Sequence, residues 1–135
     1  MISFVLDVNI WFSLFISGNY DWLVRAAEQN EFEIFSCADL ENELHRVLHY
    51  PKSKKWIGNN AHEYIFIQKE ISTKIEIKHS FKDCRDPNDN YIIDLFLQSK
   101  SNFLVTGDND ILSIPQFSSK AISFSVFKKI VREIK

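Results

Sequence analysis

The sequence is poor in glycine and cysteine, and each shortage excludes a class of protein. Three glycines in 135 residues leave no room for a glycine-rich phosphate loop, so the usual nucleotide-binding motifs are excluded. Two cysteines, Cys37 and Cys84, are too few for a disulfide framework, and neither has an adjacent base that would make it a nucleophile. We therefore expect a cytoplasmic protein whose cysteines only fill space.

Long apolar runs and a strong charge bias are also missing. No stretch approaches the ~18 apolar residues of a membrane-spanning helix. Asp7 interrupts the N-terminal MISFVLDVNIW, so we expect neither a signal peptide nor a membrane contact. The formal net charge of −2 argues against a general nucleic-acid coat protein, which usually has a strongly basic surface. It does not exclude a nuclease, because an enzyme that gathers acidic groups around a metal can be acidic overall.

The apolar residues that are present predict one α/β domain spanning residues 1–135. Hydrophobic residues make up 45% of the chain, and twelve Phe, against a single Met, are expected to fill much of the core. Short apolar runs alternate with amphipathic segments, which is typical of a mostly parallel sheet covered by helices. Strands are predicted at 2–6, 32–35, 74–78, 103–106 and 121–124. Helices are predicted at 10–16, 20–30, 38–49, 61–71, 91–97 and 126–135, with a basic loop at 53–58.

Acidic side chains collect where the predicted strands end. In open parallel sheets, ligands bind beyond the carboxyl ends of the strands. Asp7 directly follows the first strand and Asp108 follows the strand at 103–106. The acidic residues expected at this end of the sheet are Asp7, Glu41, Glu43, Asp86, Asp89 and Asp108. Each Asp could instead cap a helix, and Glu43 could be a solvated helix residue; their convergence in one fold favours a site.

A carboxylate cluster has an electrostatic cost that indicates its ligand. Two unit charges ~4 Å apart repel by about 4 kcal/mol at an effective dielectric constant of 20. A hard divalent cation relieves this repulsion, and Mg²⁺ and Mn²⁺ prefer oxygen ligands. Such a metal polarises a phosphate oxygen and lowers the pKa of a bound water. Carboxylates with a metal, and no His or Cys nucleophile, point to phosphodiester hydrolysis.

Four stretches of the chain together resemble the PIN-domain family and, within it, the bacterial VapC-like toxin ribonucleases. They are VLDVNIW (5–11), LENELHRVL (40–48) with PK (51–52) after it, CRDPNDNYIIDL (84–95) and LVTGDNDIL (104–112). The resemblance covers nearly the whole chain in the right order. It implies a three-layer α/β/α fold and an endoribonuclease that depends on Mg²⁺ or Mn²⁺. It also implies an antitoxin protein as partner and a homodimer.

The resemblance also assigns roles to single residues. Asp7, Asp89 and Asp108 match the metal-holding carboxylates, and Glu43 matches the acid that binds the metal or positions the attacking water. The products would be a 5′-phosphate and a 3′-hydroxyl. Supporting roles fall to Asn9 as a hydrogen-bonding partner, Glu41 as a shifted second acid, Asp86 as an alternative to Asp89, and Asp110 as an outer helper.

The chain departs from the family pattern at two places. The family usually carries a Thr or Ser between the first Asp and the Asn, whereas this chain has Val8, so a hydroxyl is missing there. The third motif has Asn88 and Asn90 around Asp89, where relatives often carry more acids.

Two further patterns have a functional and a structural interpretation. The basic run could bind RNA phosphates and stack a base, or could be a solvated loop with one packed Trp; its members are Arg46, Lys52, Lys54, Lys55 and Trp56. His45 and His49 have a zinc-binding spacing, but no third ligand is evident, so a surface pair is favoured.

Two other functions compete with the ribonuclease. Asp7 after a first strand would suit a phosphoaspartyl enzyme, but those enzymes usually want a second Asp where this chain has Asn9. A catalytically degenerate PIN domain that only binds RNA or a protein is the other alternative, and Val8 and Asn90 favour it.

Overall fold

The fold is built on a five-stranded sheet in which every neighbouring pair of strands is parallel. A computed structural model describes residues 1–117 and 119–134. The strands are β1 (Ser3–Leu6), β2 (Glu33–Ser36), β3 (Thr73–Lys74), β4 (Phe103–Val105) and β5 (Ala121–Ile122). Their spatial order is β3-β2-β1-β4-β5, which confirms the expected parallel α/β architecture.

Helices connect each strand to the next. Over the described residues they are α1 (Val8–Ser17), α2 (Asp21–Glu28), α3 (Ala38–Leu48), α4 (Lys54–Ile57), α5 (Ala61–Ile71), α6 (Asn90–Gln98), α7 (Asn109–Leu112) and α8 (Phe124–Glu133). Short 3₁₀ turns precede α4 and α6 at Pro51–Ser53 and Pro87–Asp89. The connections β1–β2–β3 and β3–β4–β5 run in opposite directions along the sheet. Right-handed crossovers therefore place their helices on opposite faces, which gives the α/β/α sandwich.

Phenylalanine fills the core around the central strand, as the composition predicts. Every residue of β1 is buried, as expected for a strand covered on both faces. The ring of Phe4 lies between those of Phe32, Phe103 and Phe127, with centroid separations of 5.7, 5.9 and 4.8 Å. Each buried ring contributes about 1.5–3 kcal/mol of hydrophobic stabilisation. This packing holds the central strand in place, and with it the backbone of the polar residues that follow the strand.

The strand order creates a crevice between β1 and β4. The chain runs from β1 outward to β2 and β3, then returns to place β4 on the other side of β1. Parallel sheets bind ligands at such a switch point, beyond the carboxyl ends of the strands. The backbone N–H of Asp7 donates to the carbonyl of Val105 at 3.1 Å, so the pairing of the two strands continues to the crevice.

Local capping explains why α1 begins and ends where it does. The Asp7 side chain accepts from the backbone N–H of Ile10, and Gly18 adopts a left-handed φ of 68° at the other end. The prediction that Gly18 ends the helix is confirmed. The helix itself begins at Val8, two residues before its predicted start.

Several predicted segments differ from the structure. Residues 53–58 are not a loop: α4 occupies most of them, because Pro51 suits a first helical position and the buried Ile57 anchors the turn. The strand predicted at 121–124 stops at Ile122, since the Ser123 hydroxyl caps α8. The terminal helix consequently starts at Phe124 rather than at 126; Lys135, at its predicted end, lies outside the described residues.

The strand predicted at 74–78 is also wrong, since β3 ends at Lys74. Beyond β3, side chains of α6 rather than a neighbouring strand form hydrogen bonds with the backbone. The Gln98 amide accepts from the Lys78 N–H at 2.8 Å and donates to the Lys78 carbonyl at 2.7 Å. The Asp94 carboxylate accepts from the N–H groups of Ser80 and Phe81, each at 3.0 Å. These contacts tie the connection that follows β3 to α6.

We expect Asp94→Ala to lower the free energy of unfolding by about 1–3 kcal/mol, because it removes the acceptor of two backbone N–H groups. Asp94 is only 3% exposed. Asp94→Asn should cost less, since its amide keeps one acceptor oxygen. Urea denaturation measures both. Asp83→Ala, at an exposed position of the same connection, is the control and should stay within about 0.5 kcal/mol of wild type. Equal effects of Asp94→Ala and Asp83→Ala would contradict a stabilising role for the hydrogen bonds that Asp94 accepts.

Candidate active site

Asp7 has a structural role and faces the crevice at the same time. One carboxylate oxygen accepts from the N–H of Ile10 at 2.9 Å, and the other accepts from the Thr106 hydroxyl. Thr106 is the first residue after β4 and is fully buried. The capping interpretation of Asp7 is therefore correct, but it leaves the remaining lone pairs of the carboxylate available to a ligand.

Asp108 reaches the same crevice from the other strand. Its side chain caps α7 by accepting from the N–H of Asp110 at 2.9 Å. Its own backbone N–H donates to the Thr106 hydroxyl oxygen at 3.0 Å. Thr106 thus accepts from the backbone of Asp108 and donates to the side chain of Asp7. One hydroxyl fixes the relative position of the two acids that follow β1 and β4.

Glu43 and Asp89 complete the wall of a small cavity of about 40 Å³. Glu43 comes from α3, and Asp89 comes from the 3₁₀ turn before α6. The residues that line the cavity are Asp7, Val8, Asn9, Glu43, Asp89, Tyr91, Ile92, Asp108 and Ile111. Carboxylates from four separate stretches of the chain therefore meet at one place.

Burial and neighbouring negative charges raise the pKa values of three acids in this cavity. The pKa of Asp89 is raised to about 6, first by burial and then by the negative charges of Asp86, Asp108, Glu43 and Asp7. The pKa of Asp7 is also raised by burial and by Asp108, against the lowering effect of the Thr106 hydrogen bond. Burial likewise raises the pKa of Glu43, while Arg46 and the Tyr91 hydroxyl lower it. The site therefore disfavours the fully ionised state that a cation would favour.

The donors of the cavity fit a small, hard cation. All its charged groups are carboxylates, with the Asn9 amide beside them. Over residues 1–117 and 119–134, no three acidic, His or Cys side chains already form a closed ligand cluster. Mg²⁺ keeps several waters and needs only one or two direct carboxylates, so a loosely spaced carboxylate ring suits it better than zinc.

The other acids expected at this end of the sheet lie outside the cavity wall. Asp86 is exposed and accepts from the N–H of Asn88 at 3.0 Å. Glu41 forms an ion pair with Lys74 at 2.9 Å and so extends toward β3. Asp110 is exposed. Of the alternatives at the third motif, Asp89 is the one that lines the cavity, whereas Asp86 adds only its charge.

Two residues that contact the acids were missed by the sequence analysis. Thr106 was predicted only as the last residue of a strand, and Tyr91 only as the first residue of a helix. A signal for Thr106 existed, because it ends a predicted strand two residues before Asp108. The structure shows that its hydroxyl bonds to Asp7.

The basic run lies around α4, close to the first turns of α1. The Trp56 indole is 53% exposed and packs edge-on against Phe12 of α1, with centroids 6.5 Å apart. The Lys55 ammonium lies 4.3 Å from the centre of the Trp56 ring. Arg46 is 4.0 Å from Glu43, which connects this basic surface with the acidic cavity. An aromatic ring with cations around it could stack a base and hold its phosphates.

The histidines and cysteines show no metal-binding or nucleophilic arrangement. His45 and His49 are exposed and stack with centroids 4.3 Å apart, and His62 lies edge-on to His49 at 5.9 Å. Among the described residues these three form no ligand cluster. Burial raises the pKa values of both Cys37 and Cys84 to about 11, so both stay thiols near neutral pH.

Comparison with known proteins shows what most of the chain is similar to. Residues 3–110 match the family model described as the PIN domain. The chain is also 25% identical over 117 residues to an uncharacterized protein of Methanocaldococcus jannaschii, which covers 84% of this chain and 75% of the relative. No helix in the described residues has the length and apolar character needed to cross a bilayer.

We expect the metal-free protein to lose stability as the pH rises from 4 to 7, in part because of Asp89. Its pKa is about 6 in the folded state and near 3.8 unfolded, so the folded state binds the proton more tightly in this window. Its favourable contribution is complete below pH 4 and disappears above pH 6. Asp89→Asn should remove this dependence, so melting in EDTA should show the variant increasingly more stable than wild type toward pH 7.

Asp21→Asn, in the first turn of α2, serves as the control and should follow the wild-type pH dependence. If the melting temperatures of wild type and Asp89→Asn differ by the same amount at pH 4 and pH 7, the crowding of Asp89 is contradicted.

Proposed function

The chain belongs to the PIN-domain family, whose members are generally nucleases, and from this premise we propose that it is a Mg²⁺- or Mn²⁺-dependent endoribonuclease. The observation that carries the proposal is that Asp7, Glu43, Asp89 and Asp108 line one small cavity. Neither a nucleotide-binding loop nor a nucleophilic cysteine offers a competing chemistry. The proposed substrate is RNA, and the proposed reaction is hydrolysis of a phosphodiester bond.

Asp7, Asp89 and Asp108 would hold the metal, in part through water. When bound, the metal would polarise the scissile phosphate and lower the pKa of the attacking water. Thr106 restrains Asp7 and Asp108, because it bonds to both of them. The two carboxylates are therefore in place before a ligand binds. Preorganised groups stabilise the transition state without the cost of reorganising during the reaction.

Glu43 would accept the proton of the attacking water. It lines the cavity and its raised pKa brings it closer to the operating pH, as suits a general base. Tyr91 interacts with its carboxylate and would orient it. The water oxygen bonds to phosphorus while the bond from phosphorus to the 3′-oxygen breaks. The leaving oxygen takes up a proton, which gives a 3′-hydroxyl and a 5′-phosphate.

The motifs support a narrower form of this proposal, in which the chain is the toxin of a toxin–antitoxin pair. Its stretches VLDVNIW and LVTGDNDIL are similar to those of VapC-like toxins. The proposed protein would work in the cytoplasm as a homodimer, and an antitoxin protein would hold it inactive.

The central test is cleavage of an end-labelled RNA with and without Mn²⁺ or Mg²⁺. We expect wild type to cut only with metal. Asp7→Asn should lose activity by roughly 100-fold or more, because it removes a charged ligand of the proposed metal and so weakens the stabilisation of the reacting phosphate. Asn keeps an oxygen that can cap α1, so this variant should fold. Asp21→Asn should cut like wild type.

RNA that is retained but never cut, with any metal, would support a catalytically degenerate binding module instead. Acid-labile phosphate on Asp7 would support the phosphoaspartyl alternative.

The toxin assignment is tested by induced expression in a bacterial host. We expect growth to stop within the first generations after induction of wild type and to continue with Asp7→Asn at equal protein level. Growth curves and immunoblots measure both. Arrest by wild type and Asp7→Asn alike would contradict an RNA-cleaving toxin, and unchanged growth with wild type would contradict a toxin role while leaving the nuclease proposal standing.

A further inference from the structure

A second cavity, of about 160 Å³, adjoins the carboxylate cavity. The two share Asp89 and Ile111 in their walls. The larger one is lined by Asp83, Cys84, Arg85, Asp89, Asp110, Ile111, Ser113 and Ile114. We propose that Arg85 in this second cavity binds an RNA phosphate next to the scissile one, an inference that rests on the proposed nuclease function.

The need for such a residue follows from the charge of the site. The small cavity presents only carboxylates and neutral groups. Bound metal offsets part of this charge at the scissile phosphate, but the neighbouring phosphates of the strand still approach an acidic surface. A cation at the rim would lower this repulsion and set the register of the strand. Arg85 contributes the guanidinium of the adjoining cavity.

The side chain of Arg85 is free to change partners. Its nearest acidic partner is Asp110, with the guanidinium nitrogen 3.6 Å from the carboxylate oxygen, longer than a hydrogen bond. The two side chains are 83% and 50% exposed, so water screens the pair and its stabilisation is small. A phosphate offers the same guanidinium a bidentate, charge-assisted contact. The geometry therefore favours exchange of Asp110 for a phosphate.

The backbone of Arg85, by contrast, is held on both sides. The N–H of Cys84 donates to the Asn90 side-chain oxygen at 3.0 Å. On the other side, the Asp86 carboxylate accepts from the N–H of Asn88 at 3.0 Å. The same turn carries Asp89, so Arg85 sits at a defined position beside the metal-holding acids. Asn90 is an amide where relatives often carry an acid, and its hydrogen bond to the Cys84 N–H gives it a role in anchoring this loop.

Asp110 then acts as a competitor for the guanidinium rather than as a metal helper. It lines the second cavity and not the first, and its one charged contact is with Arg85 over the described residues. Removing its charge should free Arg85 for RNA. This opposite effect of two neighbouring residues distinguishes a phosphate site from a merely structural ion pair, in which both substitutions would act in the same direction.

The test measures RNA binding without cleavage, by fluorescence anisotropy of a labelled RNA oligonucleotide in EDTA at low ionic strength. We expect Arg85→Gln to weaken binding about 10-fold and to reduce the slope of log Kd against log salt by about one. The affinity of Arg85→Lys should lie between those of wild type and Arg85→Gln, because Lys keeps the charge but loses the bidentate geometry. Asp110→Asn should tighten binding. Arg25→Gln, on α2 and in neither cavity, is the matched control and should bind like wild type.

The kinetic arm uses Mn²⁺ and the same variants. A phosphate-binding role predicts that Arg85→Gln raises KM with kcat within about threefold of wild type. An unchanged salt slope for Arg85→Gln, weaker binding by Asp110→Asn, or no RNA binding by wild type at low salt would overturn the inference. So would a fall in kcat with KM unchanged.

Failure of the nuclease proposal gives a different pattern. If wild type cuts no RNA with either metal but Arg85→Gln still loses affinity and salt dependence, the catalytic assignment fails and the phosphate site stands. Thermal melting of each variant shows whether it is folded, and Arg85→Lys keeps the test decisive if Arg85→Gln does not fold.

Discussion

The mutual repulsion of four carboxylates in one small cavity is the constraint on which the rest of this structure depends. Asp7, Glu43, Asp89 and Asp108 line one cavity, where burial first and neighbouring negative charges second raise the pKa values of Asp7, Glu43 and Asp89. Two of the four are fixed by the Thr106 hydroxyl, which bridges the ends of β1 and β4. The buried sheet supplies the rigidity for this arrangement. A cation would relieve this repulsion and would also attract a phosphate, so the repulsion and the proposed chemistry have the same origin.

The structural and functional interpretations of the acids are not alternatives. Asp7 and Asp108 both cap helices, and both also face the cavity. Each uses a carboxylate oxygen to satisfy a helix N–H and leaves other lone pairs for a ligand. Capping has a second effect, because it fixes the side-chain rotamer that a metal site needs. The observation that an Asp begins a helix therefore does not decide against a catalytic role.

The connection between β3 and α6 shows how irregular backbone is placed with precision. Asp94 and Gln98 of α6 take over the hydrogen bonds that a longer β3 would have made. Further along, Asn90 holds the backbone at Cys84. Side chains of α6 therefore bind the connection both near β3 and just before the turn that carries Arg85 and Asp89. The Asp89 carboxylate lines the carboxylate cavity, while the Arg85 guanidinium is exposed in the adjoining one.

The sequence by itself determined the features that depend on near neighbours in the chain. Hydrophobic runs located β1 and β4, Gly18 marked the end of α1, and the acids after the strands were recognisable from parallel-sheet geometry alone. Features that depend on contacts across the fold were decided only by the tertiary structure. The burial of Ile57 makes α4 a helix rather than a loop, and side chains of α6 end β3 early.

The same division holds inside the site. Asp7 and Asp108 could be found because each lies just beyond the end of a strand. The bridging role of Thr106, the choice of Asp89 over Asp86, and the place of Arg85 beside the acids could not. Each of these depends on which strands become neighbours and on which way a side chain is turned by its packing. A strand end and a helix cap are written in adjacent residues, whereas a cavity exists only after residues distant in the chain have packed together.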